Sequence, residues 1–307
     1  MHPTTNRSPR RVAVALRTLA VLSLAALLAW ASPAFGQEAR VVDALGREVV
    51  LEAPALRVVS MVPSHTETLC ALGACDRLVG RDALSDAPAA ALAAPSFGTA
   101  FTPDLEAIVA AAPDLVLADA FTGLPEALAP FGIAVYAGTP QRLDDLAPYL
   151  ADLGALLGLA PAAEALGAEL AQGFADVRAA VAGAERPTVF VEIDATPYAA
   201  GPTSLVGALV ELAGGAHILD ASLGDYPQVD PEFVVAADPM VVLLLDAPYG
   251  VTAASVAARP GWGALRAVVD GRVVELTQAE VDALSRPGPR LAEAAWSLAR
   301  RLHPERF

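Results

Sequence analysis

The chain has 307 residues, 55% of them hydrophobic, and carries 20 basic against 35 acidic side chains for a formal net charge of −15. That length allows one large or two modest domains with substantial cores, and that acidity argues against nucleic acid or an anionic membrane surface as a partner. Lysine is absent, so every Lys-or-Arg charge is an arginine; a highly soluble secreted surface and a basic protein partner both fit such a balance.

Residues 1–36 stand apart. Arg7, Arg10, Arg11 and Arg17 occur with no acid, followed by the apolar run 18–30 and the small-residue site Ala34-Phe35-Gly36 before Gln37. This order is that of a secretory signal peptide, which implies a periplasmic or secreted protein after cleavage near Gly36. The apolar run is short for a bilayer span, and an uncleaved anchor is the other reading. No cysteine lies near the site, so a lipid anchor is not expected there. Without its four arginines the mature chain has 16 basic and 35 acidic side chains.

Residues 37–140 read as an N-terminal α/β lobe. A β-branched strand at 57–62 runs into Pro63-Ser64 and the helical stretch HTETLCAL, which stops at Gly73. Strands follow at 78–80, 115–118 and 133–136, with helices at 103–111 and 124–130 between them, an alternation that gives a mostly parallel sheet. Cys70 and Cys75 are the only cysteines. A turn at Gly73 brings them within disulfide range in an oxidising compartment; the other reading leaves Cys70 buried and Cys75 free.

Residues 141–184 form a linking helical segment, with Leu143, Leu146, Leu150, Leu153 and Leu157 at helical spacing. Gly158 and Pro161 divide it, and the second helix is expected to reach about Ala182. A rigid helix between lobes restricts hinge motion. Residues 185–307 repeat the grammar of the first lobe, with strands at 188–193, 217–219 and 240–245 and helices at 203–212 and 231–237.

The repetition is explicit in one segment. DLEAIVAAAPDLVL at 104–117 recurs at 230–243 as DPEFVVAADPMVVL, identical at eight of fourteen positions without a gap. Two similar lobes follow, and their shared acids, Glu106 and Glu232, are placed to meet a symmetric partner.

Signatures for dinucleotide, P-loop, nucleophile-elbow and zincin chemistry are missing. His65 begins a helical stretch and His217 lies in a strand-like AHIL; each has a structural hydrogen-bonding reading beside a ligand one. A metal-ion receptor would need both to converge with carboxylates. A secreted hydrolase would need Ser64 and His65 to pair, although adjacent side chains point apart. Aromatic residues follow strands in both halves, namely Phe97, Phe101, Phe121, Tyr198 and Tyr226, where open α/β sheets form their ligand crevice. Asp282 and Arg286 have the spacing of a helix ion pair, and facing a cleft they could contact polar parts of a ligand.

The segments RVVSMVPSHTETLCALG, DLEAIVAAAPDLVL, PQVDPEFVVAADP, RPGWGAL and SRPGPRLAEAAWSLA together resemble the periplasmic binding proteins of ABC importers for cobalamin, ferric siderophores and haem, with the cobalamin branch nearest. The resemblance implies two Rossmann-like lobes joined by one long α-helix, with the ligand cleft between them. It implies no enzyme and no cofactor. Instead, a monomer captures a bulky metal chelate, a corrinoid foremost and a ferric siderophore or haem otherwise, and delivers it to a permease dimer. The family's permease-docking glutamates fall on Glu106 and Glu232. A cleft tryptophan falls on Tyr226, and polar cleft contacts fall on Asp282 and Arg286. Other cleft aromatics fall on Leu84, Asp119 and Ala283, with Phe101 and Phe121 close enough to substitute.

Overall fold

The computed structural model describes residues 38–307; the leader and its cleavage site lie outside the described residues. Among those residues no helix is long and apolar enough to cross a membrane. They open with an antiparallel hairpin that the sequence reading lacks, β1 (Ala39–Val42) and β2 (Glu48–Leu51). Its turn is built by Asp43, whose buried carboxylate accepts the N–H groups of Leu45 and Arg47 and pairs with the Arg47 guanidinium at 2.6 Å. Alternate residues of both strands are buried, as a hairpin with one covered face requires.

The N-terminal lobe holds β3 (Val58–Ser60), α1 (Pro63–Ala71), β4 (Leu78–Arg81), α2 (Leu105–Ala110), β5 (Leu115–Ala118), α3 (Leu124–Leu128) and β6 (Val135–Ala137). Its four strands are all parallel, in the order β4-β3-β5-β6. Cys70, in the last turn of α1, and Cys75 form a disulfide around Gly73, whose φ of +81° suits the reversal.

Two helices connect the lobes, α4 (Leu146–Leu157) and the 21-residue α5 (Ala160–Ala180), the latter ~32 Å long at 1.5 Å per residue. Gly158 ends α4 in the left-handed region at φ +66°, and Pro161 occupies the first turn of α5, where its missing N–H costs no helical bond. Helix α4 packs on β1 and on α5.

The C-terminal lobe holds β7 (Thr188–Asp194), β8 (Tyr198–Ala199), α6 (Leu205–Leu212), β9 (Ala216–His217), α7 (Pro231–Ala237), β10 (Val241–Leu244), α8 (Ala253–Ala257), α9 (Arg266–Val269), β11 (Val273–Glu275), α10 (Gln278–Ser285) and α11 (Leu291–Leu302). Parallel strands run β11-β10-β7-β9, while the short β8 pairs antiparallel with the far end of β7. Matching β9, β7, β10 and β11 to β4, β3, β5 and β6 gives the same order in both sheets. The duplicated segment then supplies equivalent helix–strand units, α2–β5 and α7–β10.

Both faces of these strands are covered, which is why they read as unbroken apolar runs. On β5, Leu115 and Leu117 enter one core while Val116 and Ala118 enter another; on β10, Val241 and Leu243 separate from Val242 and Leu244 in the same way. The inward faces of both sheets join a single core that continues through α4, α5 and α11. Smaller cores cover the outer faces, around Ile108 and Leu128 in one lobe and around Phe190 and Trp262 in the other.

Candidate functional site

Carboxyl ends of strands from both lobes surround a cavity of about 430 Å³, the size of a small-molecule site. Asp119 and Phe121, after β5, and Thr139 to Gln141, after β6, form its N-lobe wall. Ile193 at the end of β7, Leu205 and Val206 at the start of α6, Leu245 after β10, and Tyr226 and Tyr249 form much of the other. Such placement follows from the fold, because the strand order reverses at β3/β5 and at β7/β10 and leaves a crevice there.

Of the aromatic residues expected in the cleft, Phe121 and Tyr226 line the cavity. Phe101 extends this wall as a rim, its ring stacked on Phe121 at 5.6 Å and 24°. Both rings stand 78% and 67% exposed, so an apolar ligand face would find them uncovered. The expectation for Tyr198 needs correcting. A tight turn at 195–197 returns the chain as β8, which puts Tyr198 between Asp194 and Gln228 in the sheet and outside the cavity lining. Phe97 is also no cleft residue: its ring packs over Gly80, where an added Cβ would lie 2.0 Å from it, and joins the outer N-lobe core. Tyr249 was not anticipated. It follows β10 as Phe121 follows β5, so extending the internal repeat past position 243 into the next loop is the signal that would have found it.

Asp282 and Arg286 come together as an ion pair at 3.1 Å, but Arg286 has further partners. Its guanidinium reaches across to Glu67 at 2.9 Å and Asp86 at 2.7 Å in the N lobe, and Arg290 joins on Glu67 at 2.7 Å. Burial disfavours the Arg286 charge, yet hydrogen bonds to Asp86 and Glu67 outweigh it and raise its pKa. Arg286 therefore clamps the lobes together, while its neighbours Ser285 and Pro287 line the cavity. A second tie joins the start of the linking segment to the C lobe near Gln141 and Tyr226, where Arg142 pairs with Asp225 at 3.3 Å and donates to the Thr203 carbonyl.

The histidines have structural partners. His65 is fully buried, its Nδ1 2.7 Å from the Tyr149 hydroxyl and its Nε2 3.2 Å from the Ala118 carbonyl. The carbonyl can only accept, so Nε2 carries the proton and the Tyr149 hydroxyl donates to Nδ1. Desolvation pushes its pKa down to about 4. These contacts tie α1 to the end of β5 and to α4, the structural one of the two readings that the sequence offers for His65. His217 Nε2 meets the Gly207 carbonyl at 3.0 Å. Among the described residues no group of three or more His, Cys, Asp or Glu could hold a metal ion. The Ser64 hydroxyl is buried without a partner, and both ring nitrogens of His65 are occupied, so the two form no catalytic pair.

Glu106 and Glu232 are exposed and occupy the same register. Each is the second residue of its helix, two positions after a capping aspartate: Asp104 accepts from the Ala107 N–H at 2.9 Å and Asp230 from the Glu232 N–H at 2.8 Å. A carboxylate in a first helical turn is favoured by the exposed N–H dipoles.

The family model for periplasmic binding proteins matches residues 58–280. A cobalamin-binding protein of Halobacterium salinarum is 30% identical over 277 residues, covering 85% of this chain and 73% of that protein. The uncharacterised ABC transporter substrate-binding lipoprotein YvrC of Bacillus subtilis is 26% identical over 280 residues, covering 86% and 85%. Among solved structures, the periplasmic haem-binding protein BhuT with two haems superimposes with a TM-score of 0.71 at 30% identity, covering 82% of this chain and 99% of that one.

Proposed function

Since the chain belongs to the periplasmic binding protein family, and is a solute-binding protein and not an enzyme, we propose that it captures a corrinoid outside the cytoplasm and delivers it to an ABC permease. The observation that carries this reading is the cavity between the lobes, open at an aromatic rim and walled by Phe121, Tyr226 and Tyr249. Flat, rigid rings of this kind suit a large, partly apolar chelate at small entropic cost. The cobalamin-binding relative supports the same ligand class. Glu106 and Glu232, one per lobe and in matching register, would set orientation on two permease subunits, since complementary charges act more on encounter and specificity than on affinity. One chain carries both lobes and both acids, so a monomer suffices. The contacts of Asp282 and Arg286 would act on the ligand indirectly, by fixing the lobe that carries Ser285 and Pro287.

A second ligand, haem, is favoured by the likeness to BhuT and by the two tyrosines in the cavity, but among the described residues the cavity lining offers its propionates no basic side chain. Absorbance or calorimetric titration of the mature protein against cobalamin, cobinamide, haem and a ferric siderophore tests both. Saturable binding of the corrinoids is expected; absence of binding to all four would overturn the reading.

A further inference from the structure

We infer that the cleft selects its chelate by charge, accepting neutral or cationic molecules rich in hydrogen-bond donors and rejecting polyanions, with Asp119 as the specificity-determining residue. The inference rests on the reading of this cleft as a chelate site. Among the described residues that line the cavity there is no arginine and no histidine, the chain contains no lysine, and Asp119 is the one acidic side chain among them. The arginines bordering the cleft are already engaged. Arg142 is held by Asp225 and the Thr203 carbonyl; Arg286 is held by Glu67, Asp86 and Asp282, and Arg290 by Glu67. Around the clamp three carboxylates face two guanidinium groups, so this border adds no net positive charge. A polyanion would have to break these pairs to find a counter-charge, and in a partly desolvated site that loss is larger than in water.

Asp119 is also held in position. Its Oδ1 accepts from the Ala120 N–H at 2.7 Å and its Oδ2 from the Thr139 hydroxyl at 2.8 Å. A carboxylate has about four lone-pair positions, so each oxygen can accept another bond from a ligand N–H. Primary amides around a corrin ring are donors of that kind; carboxylates in their place would meet Asp119 as like charges.

A matched corrin series isolates charge from shape: neutral dicyanocobinamide, cationic diaquacobinamide, and dicyanocobyrinic acid, whose ring bears carboxylates where the others bear amides. Calorimetry on the full mature protein should show the carboxylate corrin binding on the order of a hundredfold more weakly than the neutral one. The isosteric Asp119→Asn variant should recover about tenfold of that gap and weaken diaquacobinamide. Equal affinity for amide and carboxylate corrins, or a gap unchanged by Asp119→Asn, would overturn the charge filter while leaving the chelate site standing. If no corrin binds, a neutral or cationic ferric trihydroxamate against an anionic ferric triscatecholate poses the same question; preference for the catecholate would defeat the inference. Silence towards every chelate would defeat the functional reading and the charge filter with it.

Discussion

The two lobes share a strand order and a helix-start acid, yet they differ at the carboxyl ends of their first strands. After β3, hydroxyl groups make the connection: Thr66 bonds to Ser60 and to Ser85, each at 2.8 Å, and the carboxylate beside them, Asp82, accepts backbone N–H groups of Leu84 and Ser85 and pairs with no guanidinium among the described residues. At the end of β7, Glu192 is wholly buried and receives both terminal nitrogens of Arg259, at 2.5 and 2.6 Å. The guanidinium lies 4.7 Å above the Trp262 ring, and Asp246, after β10, is buried with neither oxygen hydrogen-bonded. The features kept alike in the repeat face outward, where a symmetric partner can reach them. Those that diverged are internal, beside Ile193 and Leu245 of the cavity wall.

The largest effect should come from breaking the outward likeness. Reversing both charges, Glu106→Arg with Glu232→Arg, is expected to reduce uptake in vesicles containing the cognate permease to background while ligand affinity stays within about twofold. Unchanged transport would remove the docking role. Comparing the two single reversals then shows whether the lobes contribute equally.

The inward difference can be tested by stability. Arg259→Ala leaves a buried, unpaired Glu192 and should cost about 3–5 kcal/mol in urea unfolding. Thr66→Val removes one buried hydroxyl among neutral partners and should cost about 1–2 kcal/mol. Similar losses in the two variants would contradict the contrast between a charged and a neutral connection.

A smaller effect distinguishes the lobes by pH. His65, in the N lobe, has its pKa depressed from 6.5 to about 4. Between those values the unfolded chain binds a proton that the folded chain refuses, so this contribution is full above pH 6.5 and is lost on acidification, by about 3 kcal/mol at most. Asp246, in the C lobe, has its pKa raised, first by desolvation and then by the Glu192 charge. Its contribution has the opposite sign: it is present below the ordinary carboxylate pKa and is lost as pH rises. Asp246→Asn should therefore steepen the loss of stability on going from pH 6.5 to 4, measured as urea midpoints. An unaltered slope would show that Asp246 does not oppose His65.

Where a local rule determined the structure, it was readable. Strand β5 and helix α7 fall on the expected residues because Pro113 and Asp114 precede one apolar run, and Asp230-Pro231 supplies a cap and a first turn for the other. Gly158 and Pro161 likewise marked the division between α4 and α5. The β1–β2 hairpin escaped because its strands are four residues each, too short for alternation to stand out. Tyr198 was misplaced because an apolar strand does not reveal whether the chain beyond it enters a crevice or folds back. For Arg286 the nearby Asp282 was visible, but Glu67 and Asp86 lie 219 and 200 positions away, and no local pattern reports such a pair.

The continuous inner core, carried from one sheet to the other through α4 and α5, has a kinetic consequence. Wide separation of the lobes would expose apolar surface along the whole seam, so the cleft is presented to ligand largely ready-made. Association then needs little rearrangement, and related chelates of equal charge should arrive at comparable rates. What separates a retained ligand from a rejected one is residence time, set by the rings at the rim and the groups on the cavity wall.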